Sequence, residues 1–176
     1  MPKRRLALAD SLFRLAYRAG YGPARLWWRL RRPRHEGALV AVWTLDERLL
    51  LVRQSYRAFW TLPGGGVRRG ETPRAAGARE LAEETGIVAS PDQLVPAFQV
   101  SGAWDFRRET VHVLDLRLPH ACLNAPLVQP DGREIIAARF TARADLTSLA
   151  LSPPAAAYVA ALRDGSGRNH RTAARF

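Results

Sequence analysis

Apolar residues along this chain fall into short runs and spaced pairs that mark out the elements before any chemistry is considered. Residues 38–45 (ALVAVWTL) and 49–54 (LLLVRQ) are strand-sized apolar runs separated by Asp46-Glu47-Arg48, which predicts a hairpin-like pair. A shorter strand is expected at 59–62, running into Pro63 and three glycines. Later apolar runs predict strands at 94–101, 110–118 and 134–140, separated by loops rich in Gly, Pro, Asp and Asn. Helical spacing appears elsewhere. Residues 6–19 (LALADSLFRLAYRA) pair Leu8 with Leu12 and Phe13 with Tyr17, the i,i+4 pattern of a short amphipathic helix. Gly20, Gly22 and Pro23 break it, and a second short helix is expected at 24–32, ended by Pro33. The best-bounded helix has Thr72 as N-cap, Pro73 at the first helical position and Gly86 just past its end. Within it, Gly77 sits among Ala75, Ala76 and Ala78 at a cost of roughly 1 kcal/mol against alanine, which implies that another element approaches closely there. A last helix starts from Ser152 and Pro153 and runs through Tyr158 and Leu162 to Gly165. Strands surrounding one central helix and followed by a second predict a mixed α/β domain.

Composition adds limits. A chain of 176 residues has the length of one domain and can bury a full core. The single cysteine, Cys122, excludes an internal disulfide framework and a cysteine-rich zinc site. No apolar run reaches the roughly 18–20 residues of a membrane span, and Asp10, Arg14 and Arg18 interrupt any secretory h-region. A soluble cytoplasmic protein is the expectation. The net charge of +11 belongs to the ends: residues 1–36 carry +8, residues 163–176 carry +3, and residues 37–162 balance to zero. The chain therefore divides into a basic amphipathic extension (1–36), a body (37–164) and a basic tail (165–176) with little to bury and expected to be disordered. All basic residues but Lys3 are arginine in an alanine-rich chain, a bias that codon usage can produce, so arginine abundance alone argues weakly for function.

The chemistry lies between Gly64 and Ile87. Glu80, Glu83 and Glu84 stand at i, i+3 and i+4, which stacks three carboxylates on one helical face. Like charges so placed cost a helix a few tenths of a kcal/mol. A hard divalent cation reverses that cost, because it wants several carboxylate oxygens from one side. A fourth acid, Glu71, sits at the mouth of the helix after a glycine-rich turn.

Taken together, Gly65, Glu71 and the run Arg79-Glu80-Leu81-Ala82-Glu83-Glu84-Thr85-Gly86-Ile87 resemble the Nudix box of the Nudix hydrolases at every fixed position. The lead-in Trp60-Thr61-Leu62-Pro63-Gly64-Gly65 is similar to that family's as well. The resemblance covers roughly residues 37–164 and implies an α/β/α sandwich with a mixed sheet. It implies hydrolysis of a phosphoanhydride bond in a diphosphate linked to another moiety, using magnesium, with manganese as a substitute. It also implies Glu83 and Glu84 as principal metal ligands, Glu80 as a further ligand or the base, and the Gly64 carbonyl as a possible ligand. Arg79 would then hold Glu71 or Glu80 by charge-assisted hydrogen bonds. Family members also use an acid in a downstream loop as base, for which Glu109, Asp131 and Glu134 are the candidates here. Glu134 is the choice as accessory ligand or base.

Substrate contacts must come from outside this stretch. Arg53 and Arg57 follow the second strand and suit phosphate binding, while Trp104 and Phe106 beside Arg107 and Arg108 suit stacking on a base. Surface arginines and a plain hairpin tip are the competing readings. The signatures of coenzyme A, NADH, ADP-ribose and diadenosine polyphosphate subfamilies are absent, which weakens each of those assignments; the expected small-molecule substrate is a nucleoside diphosphate derivative, a nucleotide sugar or a nucleoside triphosphate. A non-catalytic nucleotide sensor and an RNA 5′-end pyrophosphohydrolase are the alternatives. The extension offers three partners: the body or a second subunit in a homodimer, an anionic membrane surface at which the protein would be peripheral, or nucleic acid.

Overall fold

The computed structural model describes residues 15, 20, 23, 34–104, 107–118, 134–163 and 173–175. Apart from Leu15, the helices expected at 6–19 and 24–32 lie outside the described residues, as do Phe106 and Asp131. Seven strands form one mixed sheet: β1 (Arg34–Trp43), β2 (Arg48–Gln54), β3 (Gly64–Gly66), β4 (Val95–Trp104), β5 (Arg107–Arg117), β6 (Ile135–Ala142) and β7 (Ala173–Arg175). Their order is β6-β2-β1-β5-β4-β7, with β3 pairing β1 off this path. β1 runs parallel to β5, while β1–β2, β2–β6 and β4–β5 are antiparallel.

Two helices, α1 (Pro73–Thr85) and α2 (Pro153–Arg163), cover opposite faces. Central β1 is apolar on both sides because both sides are covered. Its Val40 and Val42 join Leu50, Leu114 and Leu116 under Ala78 and Leu81 of α1. Its Ala41 and Trp43 join Leu49, Leu51 and Val113 under Ala155, Tyr158 and Val159 of α2. The result is the expected α/β/α sandwich. Inside the second layer the Trp43 indole N–H donates to the Tyr158 hydroxyl (3.0 Å), which donates to Asp115 Oδ1 (2.6 Å). Burial pushes the Asp115 carboxyl up, so the paired phenol satisfies a group that would otherwise be costly to enclose.

Helix α1 has the boundaries its sequence predicts. Thr72 Oγ1 accepts from the Ala75 N–H (3.2 Å), and the Gly86 N–H donates to the Ala82 carbonyl (3.0 Å). Gly77 is the close approach. A Cβ there would lie 2.9 Å from Leu114 Cδ1, 3.1 Å from Val40 Cγ2 and 3.3 Å from Leu94 Cδ1. Its absence lets α1 settle on the sheet.

Two expectations need correcting. The segment at 59–62 forms only isolated bridges, Thr61 with Val52 and Trp60 with Leu151, and the ladder beside β1 is made by the glycines of β3 instead. Pro63 cannot donate, but its carbonyl accepts from the Val40 N–H (2.8 Å) and carries the pairing on into Gly64. In the tail, residues 173–175 pair in parallel with Gln99–Ser101 of β4. Backbone pairing does not require apolar side chains, which is why composition missed it.

Candidate metal and hydrolytic centre

The turn from β3 into α1 places the glutamates around one arginine. Arg79 donates through Nε to Glu71 Oε1 (3.0 Å) and through Nη2 to Glu71 Oε2 (3.0 Å), a bidentate pair. Its Nη1 donates to Glu80 Oε1 (2.6 Å) and reaches Glu83 Oε2 (3.4 Å), and Nη2 also donates to the Gly66 carbonyl (3.2 Å). Sequence left open whether Arg79 holds Glu71 or Glu80. It holds both. The Glu71 carboxyl is lowered to about 2, chiefly by the hydrogen bonds from Arg79 and then by the Arg68 N–H (3.0 Å). The same contacts raise the guanidinium of Arg79 above its ordinary range.

The glycines make room for this. Gly65 pairs with Ala38 of β1, and a Cβ on it would lie 2.6 Å from the Glu80 carboxyl carbon. Any side chain there would displace Glu80. Gly64 has φ of +143°, a conformation that L side chains rarely adopt, and its N–H donates to Glu84 Oε2 (2.9 Å). Gly64 therefore touches the glutamates through its N–H. Glu84 is buried, whereas Glu83 is about half exposed. One helix turn thus presents one enclosed and one accessible carboxylate.

Glu134 arrives from the far end of the sequence. It immediately precedes β6, and its carbonyl accepts from the Ser55 N–H (2.8 Å). Its Oε1 accepts from the Tyr56 hydroxyl (2.6 Å) and the Gln54 amide (3.4 Å). The Tyr56 hydroxyl is held well above its usual range, first by burial and then by the negative charges of Glu134 and, more weakly, Glu84. Tyr56 and Gln54 were missed by sequence reasoning, which attended only to the arginines of the same run, Arg53-Gln54-Ser55-Tyr56-Arg57. A polar aromatic directly after a strand end was the available signal.

The proposed substrate contacts divide. Arg57 stacks on Tyr56 (5.7 Å from Cζ to ring centroid) and Phe59 (5.3 Å), beside the Glu134 contact. Arg53 lies over Trp60 (5.4 Å), which Arg139 also covers (4.4 Å). Trp104 ends β4 opposite Arg107. Glu109, the other described candidate base, pairs with His35 (3.2 Å), and His112 pairs with Glu36 (2.8 Å). Among the described residues no three Asp, Glu, His or Cys side chains already enclose an ion position. The donor set is nevertheless suited to a hard dication: Arg79 gathers Glu71, Glu80 and Glu83, the Gly64 N–H meets Glu84, and carboxylate oxygens so gathered are the donors that such an ion takes.

The model of the NUDIX domain matches residues 33–162. A putative 8-oxo-dGTP diphosphatase of Bacillus subtilis (strain 168) is 38% identical over 64 residues, covering 36% of this chain and 43% of that protein. An RNA pyrophosphohydrolase of Roseobacter denitrificans is 57% identical over 35 residues, 20% of this chain and 22% of its own. The chain thus spans less than half the length of these curated relatives. In fold, it resembles the crystal structure of a MutT protein from Methanosarcina mazei Go1 with TM-score 0.64 at 21% identity, over 78% of this chain and 98% of that one.

Proposed function

The chain belongs to the NUDIX family, and from that premise we propose that it is a magnesium-dependent hydrolase that cleaves the phosphoanhydride bond of a nucleoside diphosphate derivative, either a nucleotide sugar or a nucleoside triphosphate. The observation that supports this most is the carboxylate set organised by Arg79 and by the Gly64 N–H. Glu83 and Glu84 are the principal ligands, with Glu80 and the Gly64 carbonyl completing the protein's share. A bound Mg²⁺ supplies neutralisation of phosphate charge and a more acidic bound water. The chain's own residues do the rest. Arg79 and Glu71 brace Glu80, and Glu134 accepts the proton as water attacks phosphorus and the bridging oxygen leaves with its electron pair. Arg57 and Arg53 hold substrate phosphates, and Trp104 and Phe106 stack on the base.

The test is a turnover screen over nucleoside triphosphates, nucleotide sugars, dinucleotides and 5′-triphosphorylated RNA, with and without Mg²⁺. Glu84→Gln removes a ligand charge at nearly constant volume and should lower kcat by several powers of ten. Unchanged turnover in that variant would sink the metal assignment, and no turnover at all by the parent chain would favour a nucleotide sensor. A second reading, RNA 5′-end pyrophosphohydrolysis, draws support from the +8 charge of residues 1–36 and from the similarity to an RNA pyrophosphohydrolase over 35 residues. Preference for the RNA arm, weakened by salt, would select it.

A further inference from the structure

The contact between Tyr56 and Glu134 joins residues 78 positions apart. The Glu134 carbonyl accepts from the Ser55 N–H, and its carboxylate accepts from Gln54 at 3.4 Å and Tyr56 at 2.6 Å. The shorter bond is of the charge-assisted O–H···O⁻ type, the stronger class. The register explains why both donors arrive together. β2 and β6 pair regularly to Arg53↔Ala137, then the register shifts between Arg53 and Gln54 so that Gln54 stands opposite Ile135. A bulge of this kind bends a strand end and re-aims its side chains. Here it brings residues 54 and 56 against the acid that precedes β6. Arg57 lies over the Tyr56 ring, with Cζ 5.7 Å from its centroid.

The bland explanation is a half-buried tyrosine satisfied by the nearest acceptor. Against it stands the number of donors: the structural phenol Tyr158 alone serves Asp115 among the side chains named above, whereas the Glu134 carboxylate accepts from two side chains, Tyr56 and Gln54, that one register shift brings to it together.

We propose that Tyr56 is a positioning residue of the hydrolytic reaction, its hydroxyl fixing the direction of the Glu134 carboxylate. This inference rests on the proton-accepting role given to Glu134 above. Tyr56 itself gains and loses no proton in the step. It donates one hydrogen bond throughout, while Glu134 takes the proton released from water.

A double-mutant cycle on the full chain tests it, using GTP with Mg²⁺ or whichever screened compound turns over. Glu134→Gln is expected to lower kcat about a hundredfold, within the range of general-base removal. Tyr56→Phe, which keeps the ring, is expected to lower kcat roughly tenfold with KM changed less than twofold. In the Glu134→Gln background the tyrosine substitution should then cost almost nothing more. A merely structural tyrosine would slow both backgrounds equally, and equal slowing overturns the proposal. A normal kcat in Tyr56→Phe alongside a slow Glu134→Gln overturns it too, leaving the role of Glu134 intact. A normal kcat in Glu134→Gln, or no turnover of any screened compound by the parent chain, overturns both readings. Thermal unfolding midpoints of all four proteins guard against loss of fold, and a large drop confined to Tyr56→Phe counts as the structural role and against the proposal.

Discussion

At the scale of single residues, Glu71 shows how the centre converts geometry into stability. Its folded pKa of about 2 lies below the ordinary 4.5 because Arg79 and the Arg68 N–H bind the charged form. A depressed carboxyl stabilises the folded state above its unfolded pKa, and that contribution disappears as pH falls through the folded value. The window therefore runs from about 4.5 down to about 2. In the metal-free protein, the difference in urea midpoint between the parent and Glu71→Gln should be largest above pH 5 and shrink at pH 4 and again at pH 3. A difference independent of pH would mean that Glu71 contributes through shape and not charge. The resemblance to the Nudix box implied Arg79 as a brace for Glu71 or Glu80. That it serves Glu71, Glu80, Glu83 and the Gly66 carbonyl at once was not legible, because it depends on how the glycine turn folds back over the helix.

Among the elements, α1 carries both the glutamates and the close contact that seats them. Gly77 faces Leu114, Val40 and Leu94, which come from β5, β1 and the segment entering β4. These are terminal methyls of side chains, yet they press from three elements and cannot all withdraw freely in a close-packed interior. Overpacking costs about 1–3 kcal/mol, and the better helix propensity of alanine returns about 1. Gly77→Ala should therefore lower stability by about 1 kcal/mol in urea unfolding and tilt α1 enough to reduce turnover. A higher urea midpoint would show that the sheet yields. The sequence signalled this contact through one costly glycine in an alanine run. It gave no matching signal that β3 would replace 59–62 as the paired segment, since three glycines have no apolar pattern and their pairing is purely backbone.

For the whole molecule, the charge distribution separates a neutral body from basic ends. Since β1 begins at Arg34, a version starting at Pro33 retains the entire sheet strand while shedding most of the N-terminal charge. Retention on a polyanion, whether anionic vesicles or RNA, should belong to residues 1–32 and weaken with salt, as expected for contacts between arginine and phosphate. Co-sedimentation of both versions with vesicles and filter binding with RNA would measure it. Equal retention of the shortened chain would assign the contact to the body. Among the described residues no helix is long and apolar enough to cross a membrane.

What the sequence by itself determined about this protein is local. The Glu80-Glu83-Glu84 face follows from helical periodicity, the limits of α1 from Thr72, Pro73 and Gly86, and the two apolar faces of β1 from its unbroken run. Each depends on neighbours within a few positions, where backbone geometry leaves few choices. Only the tertiary structure decided that β1 lies parallel to β5, that residues 173–175 extend the sheet beside β4, and that Glu134 meets Tyr56. Those contacts rest on strand register and on one bulge, and a shift of a single residue there would turn the side chains elsewhere.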